Sequence, residues 1–142
     1  MEIQVRDNEK LDFHLKEVLA GRRKFENAAQ SISRMILSRG VTKHTRGGKT
    51  MFEFAFFREG KKHIVGWFDE INDLVNFVKD AGEGGSSREM AFVLVGEPGN
   101  GKTFFVEYIC SKYRQFIGLS ENRRYTFEFV GLDRLGRYGN IR

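Results

Sequence analysis

The feature that most constrains the fold is a six-residue apolar run that leads directly into a glycine-rich turn. Residues Met90–Val95 are continuously apolar, and Gly96–Gly101 contain three glycines and the single proline of the chain. A continuous apolar run is typical of a strand buried on both faces of a sheet. From Lys102 to Phe116 the apolar residues recur at helical spacing. This succession of strand, turn and helix predicts an α/β fold.

The turn matches G-x-x-x-x-G-K-[ST], the pattern of phosphate-binding loops. Glycines let backbone N–H groups approach phosphate oxygens, which then lie at the positive end of the following helix. We expect Lys102 to contact the β- and γ-phosphates of a nucleotide as the catalytic residue, and the Thr103 hydroxyl to bind Mg²⁺. The expected nucleotide-binding residues of the loop and the first helical turn are Gly96, Glu97, Pro98, Gly99, Asn100, Gly101, Lys102, Thr103 and Phe104.

The acidic residue that a P-loop NTPase needs for Mg²⁺ is not evident in the sequence. Such a residue ends another apolar strand, and none of the acidic residues after Thr103 ends an apolar run as an Asp-Glu pair. They are Glu107, Glu121, Glu128 and Asp133. Asp133 begins D-x-x-G after a predicted strand, Tyr125–Val130, as in the magnesium site of GTPases. A magnesium ligand and an ordinary loop aspartate both stay open for Asp133.

Three further helices are predicted from apolar spacing. They cover residues 9–20, 24–38 and 69–81, and Asp69 is expected to cap the last one. The first two helices and a basic loop form a helical N-terminal segment over residues 1–50.

The segments between these helices are less regular. Residues 40–50 are predicted as a loop, and the aromatic residues 51–57 as a strand. After a turn, residues 62–65 could form a returning strand. The alternative for this whole region, including the aromatic residues, is an irregular aromatic segment packed on the next helix. The glycine- and serine-rich residues 82–87 predict a flexible break.

The net charge of +5 is unevenly distributed. Residues 1–50 carry +5, residues 51–100 carry −4, and residues 101–142 carry +4. The densest basic run contains Lys43, His44, Arg46 and Lys49. A solvated loop accounts for this run better than a nucleic-acid contact, because no base-stacking pattern surrounds it. We therefore do not expect nucleic acid as a partner.

Composition excludes several classes of protein. Cys110 is the only cysteine, so an internal disulfide cannot form. No segment approaches the roughly 18 apolar residues of a membrane span, and the N-terminal residues lack the apolar core of a signal peptide. The three histidines share no metal-ligand spacing. These observations predict a cytoplasmic protein that makes no membrane contact.

The run FVLVGEPGNGKTFFVEYI resembles the phosphate-binding loop of the AAA+ ATPases, where G-x-P-G-x-G-K-T is common. Other segments resemble the N-terminal AAA+ module of the PrkA-type serine protein kinases. These segments are Ala28-Ala29 with Ser33–Ile36, Phe57 with Val65–Glu70, and Phe77–Gly84. The resemblance implies a three-layer α/β P-loop core whose N-terminal part covers residues 51–142.

The resemblance also implies a function. According to the resemblance, Gly96–Thr103 bind ATP, and the stretch His63–Trp67, with Val65 and Gly66, lies against the adenine. The complete protein would be a serine protein kinase or ATPase that uses Mg²⁺ and acts on a protein substrate or with other subunits of an oligomer. The acidic Walker B pair, the sensor residues and the arginine finger of the family have no counterpart. Only 39 residues follow Thr103, so we expect a truncated chain that is inactive alone.

Two alternatives to this function remain. One is a module that binds nucleotide and a partner but hydrolyses nothing. The other is a GTPase-like domain that uses Asp133, although the guanine-specificity motif N-K-x-D is missing.

Overall fold

The computed structural model describes residues 9–131. Within this range the chain forms four α-helices and one β-hairpin. The helices are α1 (Leu11–Leu19), α2 (Ala28–Leu37), α3 (Phe68–Glu83) and α4 (Lys102–Gly118), and the strands are β1 (Val41–Arg46) and β2 (Lys49–Phe54). Short 3₁₀ turns lie at Ala55–Arg58, Ser86–Glu89 and Ser120–Asn122.

The predicted three-layer α/β P-loop core is wrong. Such a core needs a parallel sheet, and the only sheet in residues 9–131 is the antiparallel pair of β1 and β2. Met90–Val95 and Tyr125–Val130, both predicted as core strands, belong to no sheet. Phe92 and Leu94 are partly buried, whereas Val93 between them is 71% exposed. The apolar run at 90–95 therefore covers the core with one face only.

The hairpin is closed by a two-residue turn. The register pairs Arg46 with Lys49, so Gly47 and Gly48 form the turn, with φ angles of 57° and 77°. Two consecutive positive φ angles are typical of a type I′ turn, whose twist matches that of the flanking strands. Glycine adopts these angles without steric cost.

The hairpin corrects two predictions for this region. The loop predicted over residues 40–50 is wrong, because β1 and the start of β2 occupy it. The strand predicted over 51–57 is present only as far as Phe54, and Ala55–Arg58 then form a 3₁₀ turn. The returning strand over 62–65 does not form, since β2 pairs with the residues that precede it.

All four predicted helices are confirmed, with ends displaced by up to a turn. α2 begins at Ala28 because Asn27 and Gln30 form a capping box, in which each side chain accepts a hydrogen bond from the other's backbone N–H at 2.8 Å. The cap predicted for α3 is wrong. Trp67 is the N-cap residue and no side chain caps the helix, while Asp69 lies in the first turn.

The flexible break predicted over residues 82–87 is wrong in part, because α3 continues through Glu83 and a 3₁₀ turn comes after it. The carboxylate of Asp80 accepts a hydrogen bond from the backbone N–H of Ser87 at 2.9 Å. Hydrogen bonds from Ser87 hold the pKa of Asp80 below its usual value. The end of α3 is therefore tied to the 3₁₀ turn.

The described residues form two compact units. The larger unit, residues 25–119, contains α2, the hairpin, α3 and α4. The described part of the smaller unit comprises residues 9–24 and 120–131, in which the guanidinium of Arg23 lies 4.7 Å from the ring centre of Tyr125. None of the helices in residues 9–131 combines the length and the apolar character needed to cross a bilayer.

The core of the larger unit is aromatic. Phe56 and Phe57, from the 3₁₀ turn after β2, and Phe105, from α4, are almost completely buried. The ring of Phe57 stacks on that of Phe105 with centres 5.8 Å apart, and Phe56 meets Tyr108 edge-on at 5.7 Å. Burying a ring of this size contributes about 2–3 kcal/mol. The remaining buried side chains of the cluster come mainly from α2 and α3 and include Met35, Ile36, Ile71 and Val75.

Helix α3 forms hydrogen bonds with the edge of β2 that faces away from β1. The side chain of Asn72 accepts a hydrogen bond from the backbone N–H of Phe52 at 3.0 Å and donates one to the Phe52 carbonyl at 2.8 Å. Lys49 of β2 also forms an ion pair with Asp69 of α3 at 2.6 Å. The carboxamide thus makes the two backbone hydrogen bonds that a neighbouring strand would make.

Candidate phosphate-binding site

The loop Gly96–Gly101 leads into α4, which begins at Lys102 as the motif predicts. Gly99 and Gly101 have φ angles of 85° and 78°. These angles lie in the left-handed region, which costs a residue with a Cβ about 1–2 kcal/mol. Among residues 9–131, no heavy atom lies within 4 Å of a Cβ placed on either glycine, apart from their chain neighbours. The backbone angles therefore require glycine, and the space beside both residues is open.

The N-terminus of α4 carries N–H donors that no side chain caps. Its N-cap residue, Gly101, makes no side-chain cap, and the first turn contains no acidic residue. The first intrahelical hydrogen bond runs from the N–H of Phe105 to the carbonyl of Gly101 at 2.9 Å. The N–H groups of Lys102, Thr103 and Phe104 therefore have no acceptor within the helix. An anion at this end of α4 would accept these hydrogen bonds and interact favourably with the helix dipole.

The side chain of Lys102 folds back over the loop. Its ammonium donates hydrogen bonds to the carbonyls of Gly96 at 2.7 Å and Glu97 at 2.6 Å. These two contacts join the first residues of the loop to the first residue of the helix. An ammonium group has three N–H donors, so one can point to a phosphate oxygen while the loop stays closed. No ion pair among residues 9–131 involves Lys102.

Thr103 lies exposed in the first turn of α4, next to Lys102. Mg²⁺ prefers octahedral oxygen coordination, keeps several waters and takes few protein ligands beside substrate phosphates. A hydroxyl at the helix start fits that pattern. In the part of the chain that the structure describes, no three His, Cys, Asp or Glu side chains group as a metal site. Asp133, the candidate for a second magnesium ligand, lies outside the described residues.

The predicted adenine-binding stretch His63–Trp67 contacts α4 one turn from its start. The indole of Trp67 stacks on the ring of Phe105 with centres 5.2 Å apart. Val65 is 77% exposed, and Gly66 adopts a φ angle of 74°. The structure thus brings this stretch and the helix of the loop together through the two aromatic rings, with Val65 open to solvent.

Trp67 itself has an unusual backbone conformation. Its φ angle of 56° is the one positive φ at a residue other than glycine in the range 9–131. A left-handed bulky residue is strained by about 1–2 kcal/mol. The packing of Trp67 on Phe105 offsets that strain. It also fixes the direction in which the chain enters α3.

Sequence reasoning missed Arg58, which positions the same stretch. Its guanidinium donates to the carbonyl of Ile64 and to the carboxylate of Glu53, the latter at 2.9 Å. It also lies 4.8 Å from the ring centre of Phe68, at the start of α3. No local pattern marks an arginine for such a role, because its partners lie on β2, on α3 and in the stretch between Arg58 and α3.

Sequence reasoning also missed Tyr108, which holds α4 to the 3₁₀ turn after β2. The hydroxyl lies 2.6 Å from the carbonyl of Phe56 and 3.0 Å from that of Glu59. Burial raises the pKa of this hydroxyl, and the negative charge of Glu59 raises it further. Tyr108 therefore remains a neutral hydrogen-bond donor at neutral pH.

No protein-family model, curated protein or solved structure matches the chain.

Proposed function

We propose that the chain binds ATP with Mg²⁺ through the loop Gly96–Thr103. The observation that supports this most directly is the N-terminus of α4, where an uncapped helix start lies beside the ammonium of Lys102. The helix start supplies N–H donors and the lysine supplies positive charge. Both favour a polyphosphate over a neutral ligand.

Each group of the site has a separate role in the proposal. The N–H groups of Lys102, Thr103 and Phe104 donate to phosphate oxygens, and the ammonium of Lys102 contacts the terminal phosphates. Gly99 and Gly101 leave the space in which the phosphates lie. The hydroxyl of Thr103 is a ligand of Mg²⁺, which offsets the negative charge of the phosphates.

For the base we propose adenine, placed against Val65 and Gly66. Val65 presents an exposed apolar surface, and Gly66 leaves room for a flat ring beside it. Trp67 connects this surface to α4 through Phe105.

The proposal concerns the binding of ATP only. Hydrolysis of ATP belongs to a second candidate function. From the resemblance to the PrkA-type kinases, the chain would supply the ATP-binding part of an ATPase or protein kinase that acts on a protein substrate or with other subunits. The alternative is a module that binds ATP without turnover.

Titration of the full chain with a fluorescent ATP analogue, with and without Mg²⁺, tests the proposal. Lys102→Ala should weaken binding about 10- to 100-fold, because a hydrogen bond to a charged group is worth about 1.5–3 kcal/mol. Lys16→Ala, which removes an exposed positive charge on α1, is the matched control and should leave binding unchanged. Equal affinities for the wild type and Lys102→Ala would refute the site.

Two further measurements separate the remaining candidates. Competition by unlabelled ATP and GTP tests the base preference, and preferential competition by GTP would refute the adenine proposal. Phosphate release from ATP distinguishes an ATPase from a module without turnover.

A further inference from the structure

The two edges of the β-hairpin differ in what covers them. On β2, the outward-facing backbone groups of Phe52 are hydrogen-bonded to the side chain of Asn72 on α3. This edge is therefore occupied by the protein itself. Within residues 9–131 no segment other than β2 pairs with β1.

The register identifies the backbone groups that β1 leaves open. In a hairpin with a two-residue turn, the pair flanking the turn is hydrogen-bonded, and pairs alternate from there. That flanking pair is Arg46 with Lys49. Val41, Lys43 and Thr45 therefore direct their N–H and C=O groups away from β2. All three residues are exposed.

The open edge also carries a positive charge. β1 contains Lys43, whose side chain is exposed, and no acidic residue. His44 is 3.1 Å from the carboxylate of Glu53 on β2, and that carboxylate is also paired with Arg58 at 2.9 Å. No ion pair among the described residues involves Lys43, so its charge faces solvent beside the open backbone groups.

We propose that β1 binds an extended acidic segment of a partner protein as a third strand of the hairpin. Backbone hydrogen bonds to Val41, Lys43 and Thr45 would supply the affinity. Carboxylates on alternate residues of the segment would lie beside Lys43 and supply the selectivity.

Two other occupants fit the edge less well. A second copy of the chain would bring β1 against β1 and place like charges in neighbouring strands, which is destabilising. A nucleic acid would satisfy the positive charge but would not pair with alternating backbone donors and acceptors of an open strand.

The test uses the full chain and a fluorescently labelled, end-blocked peptide of eight alternating threonine and glutamate residues. Fluorescence anisotropy measures its affinity. A peptide with lysine in place of glutamate is the charge control, and one with every second amide N-methylated is the backbone control. We expect both control peptides to bind at least about tenfold more weakly than the acidic peptide.

Two variants of the chain test separately the backbone hydrogen bonds and the positive charge of β1. Thr45→Pro removes an outward N–H but no hydrogen bond between the strands, since proline is tolerated where the N–H faces solvent. Lys43→Glu reverses the charge, and Lys61→Glu, at an exposed lysine outside the hairpin, is its control. We expect Thr45→Pro and Lys43→Glu each to weaken binding about tenfold, with no effect from Lys61→Glu. If Thr45→Pro does not fold, Lys43→Glu and the N-methylated peptide decide.

Several outcomes would overturn the proposal. They are no binding of the acidic peptide at millimolar concentration, equal binding of the N-methylated peptide, tighter binding of an eight-nucleotide oligothymidylate, and self-association through β1 in sedimentation. Lys102→Ala should leave peptide binding unchanged, so a failure of the ATP-binding proposal would not be mistaken for a failure of this one.

Discussion

Replacing Tyr108 by phenylalanine should destabilise the larger unit through the loss of one hydroxyl. The side chain is 7% exposed, and its hydroxyl is within hydrogen-bond distance of the carbonyls of Phe56 and Glu59. The ring keeps its packing in the variant, so the loss is confined to the hydrogen bond. A hydrogen bond contributes about 0.5–1.5 kcal/mol net, and an acceptor left buried without a donor costs about 1–3 kcal/mol. We expect a loss of about 1–2 kcal/mol.

Urea unfolding of the wild type and Tyr108→Phe measures this loss. The midpoint should fall while the dependence on urea concentration stays the same, because the surface exposed on unfolding does not change. Tyr113→Phe is the matched control: Tyr113 lies on the same helix, is partly buried, and makes no side-chain hydrogen bond within the described residues. Equal effects of the two substitutions would refute the role assigned to the Tyr108 hydroxyl.

The same pair of proteins gives a pH test. Because burial raises the pKa of Tyr108, the folded state favours the neutral hydroxyl. Its contribution is complete below the ordinary tyrosine pKa of about 10 and is lost as the pH rises through the raised pKa of the folded state. The stability difference between wild type and Tyr108→Phe should therefore shrink above about pH 10. A difference that grows with pH would contradict this linkage.

Three further predictions concern other parts of the larger unit. Asn72→Ala should lower stability by about 1–2 kcal/mol in urea unfolding, since Phe52 loses both hydrogen bonds. Asn72→Asp should lower it too, because a carboxylate oxygen would face the carbonyls of Phe52 and Phe68, to which the amide nitrogen donates; an unchanged urea midpoint in either variant would contradict the geometry. Hydrogen bonds from Ser87 lower the pKa of Asp80. The wild type should therefore be more stable to unfolding than Asp80→Ala above about pH 4, and this difference in stability should disappear as the pH falls further. A difference that persists unchanged at pH 2 would count against the hydrogen bonds. Gly101→Ala should cost about 1–2 kcal/mol from its left-handed backbone alone, as no atom obstructs the new methyl group; an unchanged urea midpoint would show that the backbone adapts.

The helices could be predicted because the spacing of their apolar residues is a local signal. That spacing does not set their ends, which depend on features such as the capping box of Asn27 and Gln30 and the left-handed Gly84 after α3. The cap assigned to Asp69 is wrong because Trp67 packs on Phe105, which is distant in the sequence, and so determines where α3 begins.

The sheet could not be predicted because strand pairing is not a local property. The apolar character of Met90–Val95 indicates burial but does not say whether one face or both are covered. At residues 40–50 the charges suggested a loop, although a glycine pair between residues that favour strands is a hairpin signal. The hairpin forms around Gly47 and Gly48 despite the charged residues, because Lys43 and Lys49 lie at exposed positions of the strands.

The motif predicts the residues of the candidate site but not their contacts. That Lys102 and the glycines bind phosphate stays a prediction, and the helix begins at Lys102, where the motif places its start. The closure of the lysine onto the carbonyls of Gly96 and Glu97 depends on the path of the loop. The stacking of Trp67 on the helix of the loop depends on tertiary packing.

The most direct test of the central claim is the change in backbone amide resonances of the ¹⁵N-labelled chain when ATP and Mg²⁺ are added. The account predicts that the largest shifts occur at the N–H groups of Lys102, Thr103 and Phe104, which the helix leaves without acceptors, and that the shifts in Lys102→Ala need about 10- to 100-fold more ATP. Unchanged amides at these three residues at saturating ATP, or the same dependence of the shifts on ATP concentration in the variant, would contradict it.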